Sequence, residues 1–409
     1  MTFIRHCLLW SCLFALLLPF GAAADALDPE GAVSVSGFGT AGLTHNSTGG
    51  AEFIRDISQP RGIANGWSAK VDSVFGLQLN ARFSADVDGV VQVVSHYNYQ
   101  GNYDPDVTWA FISYSPTPDW KLRVGRLGWD VYMLSDSRYV GYSYLWVRPP
   151  VDYFGPLQLS HIDGADAVVE LVLGSGLASA KFYGGRADEK LPSPGGDAFD
   201  LSGSRVLGVN LDYLKGDWHA RAGYTAIRID NEVPSISPLL DALRGTGSPI
   251  AGALASDLAL AGKTATIASA GVIYEHGPWQ AQLMYNRSNS NSLLFPPKDA
   301  GYVLLSYRTG EWTPYVTLAG TRSKAVNRQT GFPTPNPLDD AVSNLLKQAQ
   351  SRQRTATIGV RYDFMRNADL KIQLDQVRVQ DHAALLWRNA QPDWNGRATI
   401  FSVALDFVF

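Results

Sequence analysis

Apolar and polar residues alternate one by one along most of this chain. The last segment shows the pattern most clearly, because every second residue from Phe401 to Phe409 is apolar and smaller or charged residues stand between them. The same alternation runs through residues 71–83, 356–364 and 370–374. A period of two is typical of β-strands with one apolar and one polar face. The pattern therefore predicts an all-β protein.

Counting the alternating segments gives sixteen strands. They are predicted at residues 31–44, 67–83, 87–100, 106–115, 120–127, 163–173, 177–185, 203–214, 218–229, 263–275, 279–287, 301–308, 312–322, 353–364, 368–379 and 398–409. An even number of strands, with both chain ends on the same side, is what closure of an antiparallel transmembrane barrel requires. A barrel of sixteen strands is wide enough to enclose an aqueous lumen.

The connections between these strands are of two kinds, and the two kinds alternate along the chain. Tight turns are predicted near 84–88, 115–120, 173–177, 214–218, 275–279, 309–313 and 365–369. Long connections are predicted at 45–66, 128–162, 186–202, 230–262, 288–300, 323–352 and 380–397, with one short exception at 101–105. Short periplasmic turns and long outer loops are the signature of an outer-membrane barrel.

Tryptophan recurs at one position relative to the tight turns. Trp120, Trp218, Trp279 and Trp312 each follow a turn directly. A ring of amphipathic aromatics is expected where a barrel meets the lipid headgroups. A soluble β-sandwich with aromatic residues in its core does not account for the same residue type at the same place in four turns. The segments 238–245, 251–262 and 337–350 are predicted to form short helices that cap the outer mouth.

The first 24 residues are expected to be a secretory signal peptide, followed by one barrel domain at 25–409. The apolar run from Cys7 to Phe20 is shorter than the roughly 20 residues of a spanning helix, and an Ala-x-Ala site follows it. Removal of this segment takes away Arg5 and both cysteines, so the net charge changes from −4 to −5. This mild charge argues against nucleic acid as a partner.

The whole mature chain resembles the general porins of Gram-negative bacteria. The resemblance rests on the sixteen strands, the alternating loop lengths and the terminal strand that ends in Phe409. It implies an outer-membrane channel for passive diffusion of small hydrophilic solutes and ions, in contact with membrane lipid and assembled as a homotrimer. It also implies that the terminal aromatic strand is an assembly signal. The second loop, at 101–105, is too short for the trimer latch of many members, and the acidic Pro-Glu-Phe-Gly motif of the third loop is absent.

In that family the loop after the fifth strand folds into the lumen and narrows it. Here the corresponding loop is 128–162, which contains the aromatic stretch SRYVGYSYLWVRPPVDYFG at 137–155. Packing against the inner wall is as good an explanation for these aromatics as contact with a solute. The candidate constriction residues are Asp130, Asp136, Arg138, Tyr139, Tyr142, Tyr144, Arg148 and Asp152 on the loop, facing Lys70, Arg82, Lys121 and Arg123 on the barrel wall.

Two expectations about this constriction follow. Arg138, Arg148 and Asp152 are expected to face the passage, and the mixture of charges and aromatics is expected to favour a small organic solute over bare ions. The family's arrangement of acids on the loop opposite bases on the wall implies a field across the pore.

No enzyme, cofactor or metal ion is expected. The histidines are scattered rather than placed at metal-ligand spacing, and no Gly-x-Ser-x-Gly motif occurs. The sequence GFGTAG at 37–42 matches a dinucleotide fingerprint in letters, but no helix follows it. A barrel-type outer-membrane enzyme or an adhesin without channel activity remains the alternative.

Overall fold

A computed structural model describes residues 32–193, 197–333 and 335–409, with the backbone alone described for 381–384. The expected signal peptide at 1–24 lies outside the described residues.

Sixteen antiparallel strands form one closed barrel, as the sequence predicts. The strands are β1 Val33–Asn46, β2 Val74–Arg82, β3 Val87–His96, β4 Asp106–Thr117, β5 Trp120–Gly128, β6 His161–Leu173, β7 Gly176–Arg186, β8 Arg205–Lys215, β9 Trp218–Arg228, β10 Thr264–His276, β11 Trp279–Ser290, β12 Lys298–Tyr307, β13 Trp312–Ser323, β14 Ser351–Met365, β15 Ala368–Ala384 and β16 Arg397–Val408. Each strand pairs with its neighbours in the chain, and β1 also pairs with β16 in a register that places Phe38 opposite Val408. This last pairing closes the barrel.

The short turns lie at one end of the barrel and the long loops lie at the other. Turns of two to four residues lie at 83–86, 118–119, 174–175, 216–217, 277–278, 308–311 and 366–367. Longer loops lie at 47–73, 97–105, 129–160, 187–204, 229–263, 291–297, 324–350 and 385–396. Two short pairs of strands lie at the loop end: Lys190–Pro192 pairs with Ala198–Asp200, and Glu52–Phe53 pairs with Trp387–Arg388.

The predicted capping helices form at the loop end. These capping helices are α2 Ser237–Gly245, α3 Pro249–Leu258 and α4 Pro337–Gln348, with a short 3₁₀ turn at Pro234–Ile236. A further short helix, α1 Val151–Phe154, and a 3₁₀ turn at Gly141–Ser143 lie in the loop 129–160. Helices α2, α3 and α4 pack together through buried apolar side chains that include Leu243, Leu258 and Val342. None of the helices in the described ranges is long and apolar enough to span a membrane.

The outward face of the barrel is apolar and the inward face is largely polar. Leu283, Leu318 and Ile358 point outward and are exposed, as expected for side chains that contact lipid. Near the short turns the aromatic rings lie side by side, with Trp312 and Tyr362 4.2 Å apart and Trp218 and Tyr274 4.5 Å apart between ring centroids. This end therefore carries the predicted aromatic ring.

The second strand begins later than predicted, which corrects the position of Lys70. A short strand, Gly66–Ser68, pairs with β1, after which residues 69–73 form a turn before β2 begins at Val74. Lys70 lies exposed in that turn and not on the barrel wall. The alternation of apolar and polar residues continues through the turn in the sequence, so the pattern alone does not reveal the break.

Candidate functional site in the barrel interior

The loop between β5 and β6, residues 129–160, passes through the barrel interior, and we refer to it as the inner loop. Its hydrogen bonds reach three separate parts of the wall. Trp146 Nε1 donates to Thr317 Oγ1 of β13 at 2.9 Å, the Val147 amide donates to Gln373 Oε1 of β15 at 2.9 Å, and Ser269 Oγ of β10 donates to the Val131 carbonyl at 3.1 Å. The inner loop thus crosses the lumen and binds the far wall.

Aromatic side chains hold the middle of the inner loop in place. Trp146, Tyr153 and Phe154 are buried, and the rings of Trp146 and Tyr153 lie edge-on to Tyr302 of β12, with centroids 5.5 and 5.3 Å away. The wall opposite is unusually apolar for a barrel interior, with Leu304 fully buried beneath the loop. Edge-to-face packing of this kind stabilises a buried aromatic cluster beyond its area alone. These aromatics pack against the inner wall, which is one of the two roles expected for them.

Arg148 makes the first polar anchor of the inner loop. Its Nε and Nη2 donate to the two carboxylate oxygens of Asp72, each at 2.8 Å, and its Nη1 donates to Asp375 Oδ2 at 2.9 Å. Nη2 also donates to Thr44 Oγ1 at 3.0 Å and to Ser402 Oγ. One guanidinium therefore joins the loop to β1, β15, β16 and the turn before β2.

This anchor is dry. The side chains of Arg148, Asp72 and Asp375 are 1%, 0% and 5% exposed. Burial alone would raise the pKa of the Asp72 carboxyl, but the Arg148 guanidinium, with Arg55 and the Thr44 hydroxyl, outweighs burial and holds that pKa below its ordinary value. A desolvated ion pair survives only with good geometry and further hydrogen bonds. Thr44 and Thr357 supply such bonds to the two carboxylates, each at 2.6 Å.

A second anchor fixes the 3₁₀ turn of the inner loop. Lys371 Nζ donates to the Gly141 carbonyl at 2.7 Å and lies 2.8 Å from Asp406 Oδ2, with both charged side chains fully buried. Gly141 is needed here because a Cβ would lie 2.0 Å from Asp406 Oδ1. Close by, Arg361 donates to the carbonyls of Tyr142 at 2.6 Å and Tyr144 at 2.9 Å. The turn is therefore held through its backbone carbonyls, which restricts its movement.

A third group of charges lies at the start of the inner loop, and its cations keep part of their surface accessible. Asp130 accepts from Lys181 Nζ of β7 at 3.0 Å and from Arg221 Nη1 of β9 at 2.6 Å. Arg221 also pairs with Asp212 of β8 at 2.7 Å, and its side chain is 18% exposed. We call Asp130, Lys181, Arg221 and Asp212 the wet cluster.

A neighbouring ion pair on β5 and β6 adjoins these residues, and we include it in the wet cluster. Arg123 Nε donates to Asp166 Oδ1 at 2.9 Å, and the Arg123 side chain is 24% exposed. Lys181 lies 3.6 Å from Asp166 and so links this pair to Asp130. Cations and carboxylates thus alternate along the interior of β5–β9.

The structure buries three residues that were expected to face the passage. Arg148 and Asp152 are in the dry region, and Arg138 is buried with its guanidinium 5.0 Å from the Tyr139 ring centroid. The expectation is wrong for these three side chains, because carboxylates, hydroxyls or an aromatic ring inside the barrel contact their polar groups in place of water. Tyr144 is also buried, and its hydroxyl donates to the Leu134 carbonyl at 2.7 Å.

Other predicted residues stay accessible. Asp136 is exposed and Tyr142 is partly exposed on the inner loop. Arg82 and Lys121 are exposed near the short-turn ends of β2 and β5. Asp130 pairs with Lys181 and Arg221, neither of which is among the four wall bases predicted from the sequence. Of those four bases, Arg123 is the one that pairs with a carboxylate of this cluster.

The partners that hold the inner loop are not among the candidate constriction residues predicted from the sequence. Asp72, Asp375, Lys371 and Asp406 are the clearest cases. In the alternating segments of β15 and β16 the last three stand at polar positions, which is the signal that places them on the inner face. The alternation does not say which loop residue each one meets.

Asp152 gives the inner loop a testable dependence on pH. Its Oδ2 accepts from Thr355 Oγ1 of β14 at 2.6 Å, but burial dominates and raises the pKa of the Asp152 carboxyl to about 6 from 3.8. The docked loop therefore binds this proton more tightly than the released loop does. Docking is strongest below about pH 4, weakens as the pH rises to about 6, and is constant above that, a total change of about 3 kcal/mol.

We expect protease cleavage within the inner loop to be faster at pH 7.5 than at pH 5 when cleavage is corrected for protease activity. The variant Asp152→Asn should reduce this dependence, and Asp241→Asn, on exposed α2, should keep it in full. Equal pH dependence in Asp152→Asn and the unmodified protein would contradict the assignment.

Solved structures of outer-membrane proteins share this architecture. OmpF of Salmonella typhi, solved in a complex with daunomycin, matches with a TM-score of 0.56 at 10% identity over 92% of this chain and 97% of that one. An anion-selective porin of Comamonas acidovorans matches with a TM-score of 0.53 at 13% identity over 92% and 99% of the two chains. The outer-membrane channel DcaP of Acinetobacter baumannii matches with a TM-score of 0.54 at 12% identity over 92% and 97%. No protein-family model matches the sequence, and a search of the curated proteins finds no match.

The chain has the fold of the sixteen-stranded porins. The similarity covers nearly the full length of both chains in each comparison. At this level of identity the similarity establishes the fold alone. The chemical properties of the lumen are set by the interior residues of this chain. Among the described residues, no group of three or more His, Cys, Asp or Glu side chains is placed to hold a metal ion.

Proposed function

We propose that this protein is an outer-membrane porin, without enzymatic activity, that lets small hydrophilic solutes and ions diffuse through its barrel. The observation that carries the proposal is the inner loop, which enters a closed barrel and meets its wall through paired charges. Interior charges fixed at a narrowing select solutes by size and sign. Helices α2 to α4 pack together at the loop end.

We infer that the solute path follows the wet cluster on β5–β9. Arg123, Lys181 and Arg221 keep part of their surface accessible, whereas the Arg148 anchor across the barrel is excluded from water. Asp136 is exposed on the adjacent part of the inner loop and adds a carboxylate to the same side. Carboxylates and cations close together produce a strong local field with little net charge, which favours dipolar organic solutes over bare ions.

Planar-bilayer recording tests the channel itself. The purified, folded protein should give stepwise conductance events, and a salt gradient should give a reversal potential whose sign reports the charge preference. Liposome swelling should then rank small carboxylates and sugars by more than their size. Silent bilayers from protein shown to be folded would overturn the proposal and favour an adhesin or an enzyme.

Asp130→Asn should shift the ion preference towards anions. The change removes one negative charge from between Lys181 and Arg221 and leaves both cations in place. At a separation of about 4 Å in water, one unit charge changes the local energy of an ion by about 1 kcal/mol, or roughly fivefold in the permeability of that ion.

The measurement is the reversal potential in a KCl gradient. Asp217→Asn, in the exposed turn between β8 and β9, is the matched control and should leave the reversal potential unchanged. A shift of equal size in both variants, or no shift in Asp130→Asn, would place the solute path elsewhere.

We also propose that residues 1–24 direct export and are removed, and that the protein assembles as a homotrimer in the outer membrane of a Gram-negative bacterium. Outward side chains such as Leu43, Trp67 and Phe75 are exposed on the β1–β2 side of the barrel, which suits either lipid or a neighbouring subunit. Mass spectrometry of the protein extracted from outer membranes would give its first residue and its number of subunits. A first residue other than Asp25, or a monomer in mild detergent, would contradict these proposals.

A further inference from the structure

Three polar side chains on the inner face of β11 and β12 are buried without partners. Asn286 and Ser288 are 1% and 2% exposed, yet within the described ranges neither polar side-chain atom of Asn286 and no hydroxyl of Ser288 forms a hydrogen bond. Lys298 is 7% exposed and forms no ion pair with any described residue. We call Asn286, Ser288 and Lys298 the β11–β12 patch. Buried polar groups in native proteins are nearly always hydrogen-bonded, so these three require partners.

The strand register brings the three side chains of the patch together. Lys298 is directly opposite Ser288, and Asn286 stands two residues deeper on the same face of β11. Side chains directly opposite each other have Cβ atoms about 5 Å apart, and diagonal neighbours such as Asn286 and Lys298 are about 7–8 Å apart. An ammonium and an amide at this separation can bind the two ends of one small molecule.

The carboxylate next to Lys298 in the sequence does not neutralise it. Asp299 points to the outer surface of the barrel, where its carboxylate lies 3.6 Å from Arg287. The Phe295 ring centroid is 5.8 Å from Lys298 Nζ, and an aromatic ring attracts a cation without balancing its charge. The cations of the wet cluster and the Arg148 anchor pair with carboxylates, so Lys298 differs from them in its need for an anion.

Hydroxyl groups continue the polar surface from the patch onto β13 and β14. Ser323 is directly opposite Lys298 in the register. Its Oγ lies 3.2 Å from Ser351 Oγ, which in turn lies 3.4 Å from Thr321 Oγ1. Each hydroxyl can both donate and accept a hydrogen bond. This part of the wall therefore offers one cation, one amide and a row of hydroxyls to a bound molecule.

The inner loop and the loop 291–297 border the patch. Ser292 Oγ donates to the Leu258 carbonyl of α3 at 3.1 Å, which fixes the loop 291–297 to the capping helices. On the other side, Tyr153 of α1 approaches Asn286 without the geometry of a hydrogen bond. Ordered water can satisfy an amide and a hydroxyl in such surroundings, but it leaves the charge of Lys298 unbalanced. A bound anion supplies both the hydrogen bonds and the charge.

We propose that the β11–β12 patch binds a small hydroxy acid, with the carboxylate of the solute on Lys298 and a hydroxyl of the solute on Asn286. The ammonium donates charge-assisted hydrogen bonds to the carboxylate, and the amide can donate to and accept from the hydroxyl. This inference rests on the proposed function, because the solute reaches the patch from the lumen. It adds a binding site on β11–β12 to the path along the wet cluster on β5–β9.

Isothermal titration calorimetry of the full-length folded protein in neutral detergent tests the site with four probes. Gluconate carries a carboxylate and hydroxyls, glucose carries hydroxyls alone, hexanoate carries a carboxylate alone, and inorganic phosphate is an anion of similar charge. Gluconate should bind at least tenfold more tightly than each of the other three. Equal binding of hexanoate would leave the amide without a role, and equal binding of phosphate would show an unselective anion site. Either result would overturn the proposal.

The variant Lys298→Met removes the charge and keeps the length of the side chain, and it should lose tenfold or more in gluconate affinity. Lys347→Met, at an exposed position on α4, is the matched control and should lose less than twofold. Because Lys298→Met also removes an unbalanced buried charge, its midpoint of heat unfolding without solute should rise. A fall in that midpoint would show that Lys298 holds the wall together instead, and would contradict a binding role.

The variant Asn286→Leu keeps the cation and should lower the affinity for gluconate to that for hexanoate; an unchanged affinity would exclude the amide from the site. Each variant is first shown to be folded by its retarded migration in unheated gels. Planar-bilayer recording of the same preparations separates this inference from the proposed function. Open channels without gluconate binding would contradict the binding site alone, whereas silent bilayers would contradict the porin function.

Discussion

Replacing Arg148 with methionine is expected to release the middle of the inner loop from the barrel wall. Methionine keeps much of the side-chain volume but leaves the carboxylates of Asp72 and Asp375 buried without a cation. Loss of one partner from a buried ion pair costs about 3–5 kcal/mol. Because both carboxylates lie outside the inner loop and the arginine belongs to it, this cost can be relieved by admitting water where the loop was bound.

Two measurements report the release. Trypsin or chymotrypsin should cleave the folded protein within 129–160 much faster than in the unmodified protein. Single-channel recordings should show larger and more variable conductance, since part of the lumen is no longer filled. Arg244→Met is the control, because Arg244 makes an exposed ion pair with Asp241 on α2, and such pairs contribute little.

A combined variant separates charge from packing. Arg148→Met together with Asp72→Asn and Asp375→Asn removes all three charges and should recover most of the protease resistance, because no unpaired charge is left. If Arg148→Met alone is as resistant and as conductive as the unmodified protein, the anchor does not hold the loop.

The barrel could be predicted from the sequence because the membrane imposes its own pattern. A strand with lipid on one side and water or protein on the other has to alternate, and turns such as 174–175 and 216–217 stand out between alternating runs. The same constraint places Lys371 and Asp375 on the inner face. Strand limits were least certain where the alternation continues through a turn, as it does around Lys70.

The inner loop could be located but its contacts could not. Its position follows from the strand count, and its aromatic content predicts packing. Which carboxylates meet Arg148 depends on the path of the chain across the lumen, which is set by contacts between residues far apart in sequence, such as Arg148 and Asp375. Paired charges inside a barrel can be dry, whereas the pattern of charges alone suggests that they are solvated.

Deleting residues 407–409 is expected to abolish the folded barrel. The backbone of Phe409 exchanges two hydrogen bonds with Gly37, of 2.8 and 3.0 Å, and the Val408 amide donates to the Asn367 carbonyl at 2.9 Å. The ladder also pairs Gly39 with Phe407. Each unsatisfied backbone group in a buried or lipid-facing site costs about 1–3 kcal/mol, so the sum is comparable with the ~5–15 kcal/mol of a typical folding free energy.

The side chains of the last residues add to this closure. Gly37 and Gly39 have no side chains, and the rings of Phe409 and Phe407 lie directly over them, where a Cβ would be within 2.3 and 2.4 Å of a ring carbon. The truncated chain loses both rings and exposes the edge of β1, which in lipid has no water to replace its partners. The measurement is migration in unheated gels after refolding in detergent micelles: the truncated chain should run as unfolded protein at every temperature. Phe409→Tyr keeps the ring and the backbone and should fold normally, whereas a heat-modifiable band from the truncated chain would show that the barrel closes without this end of the seam.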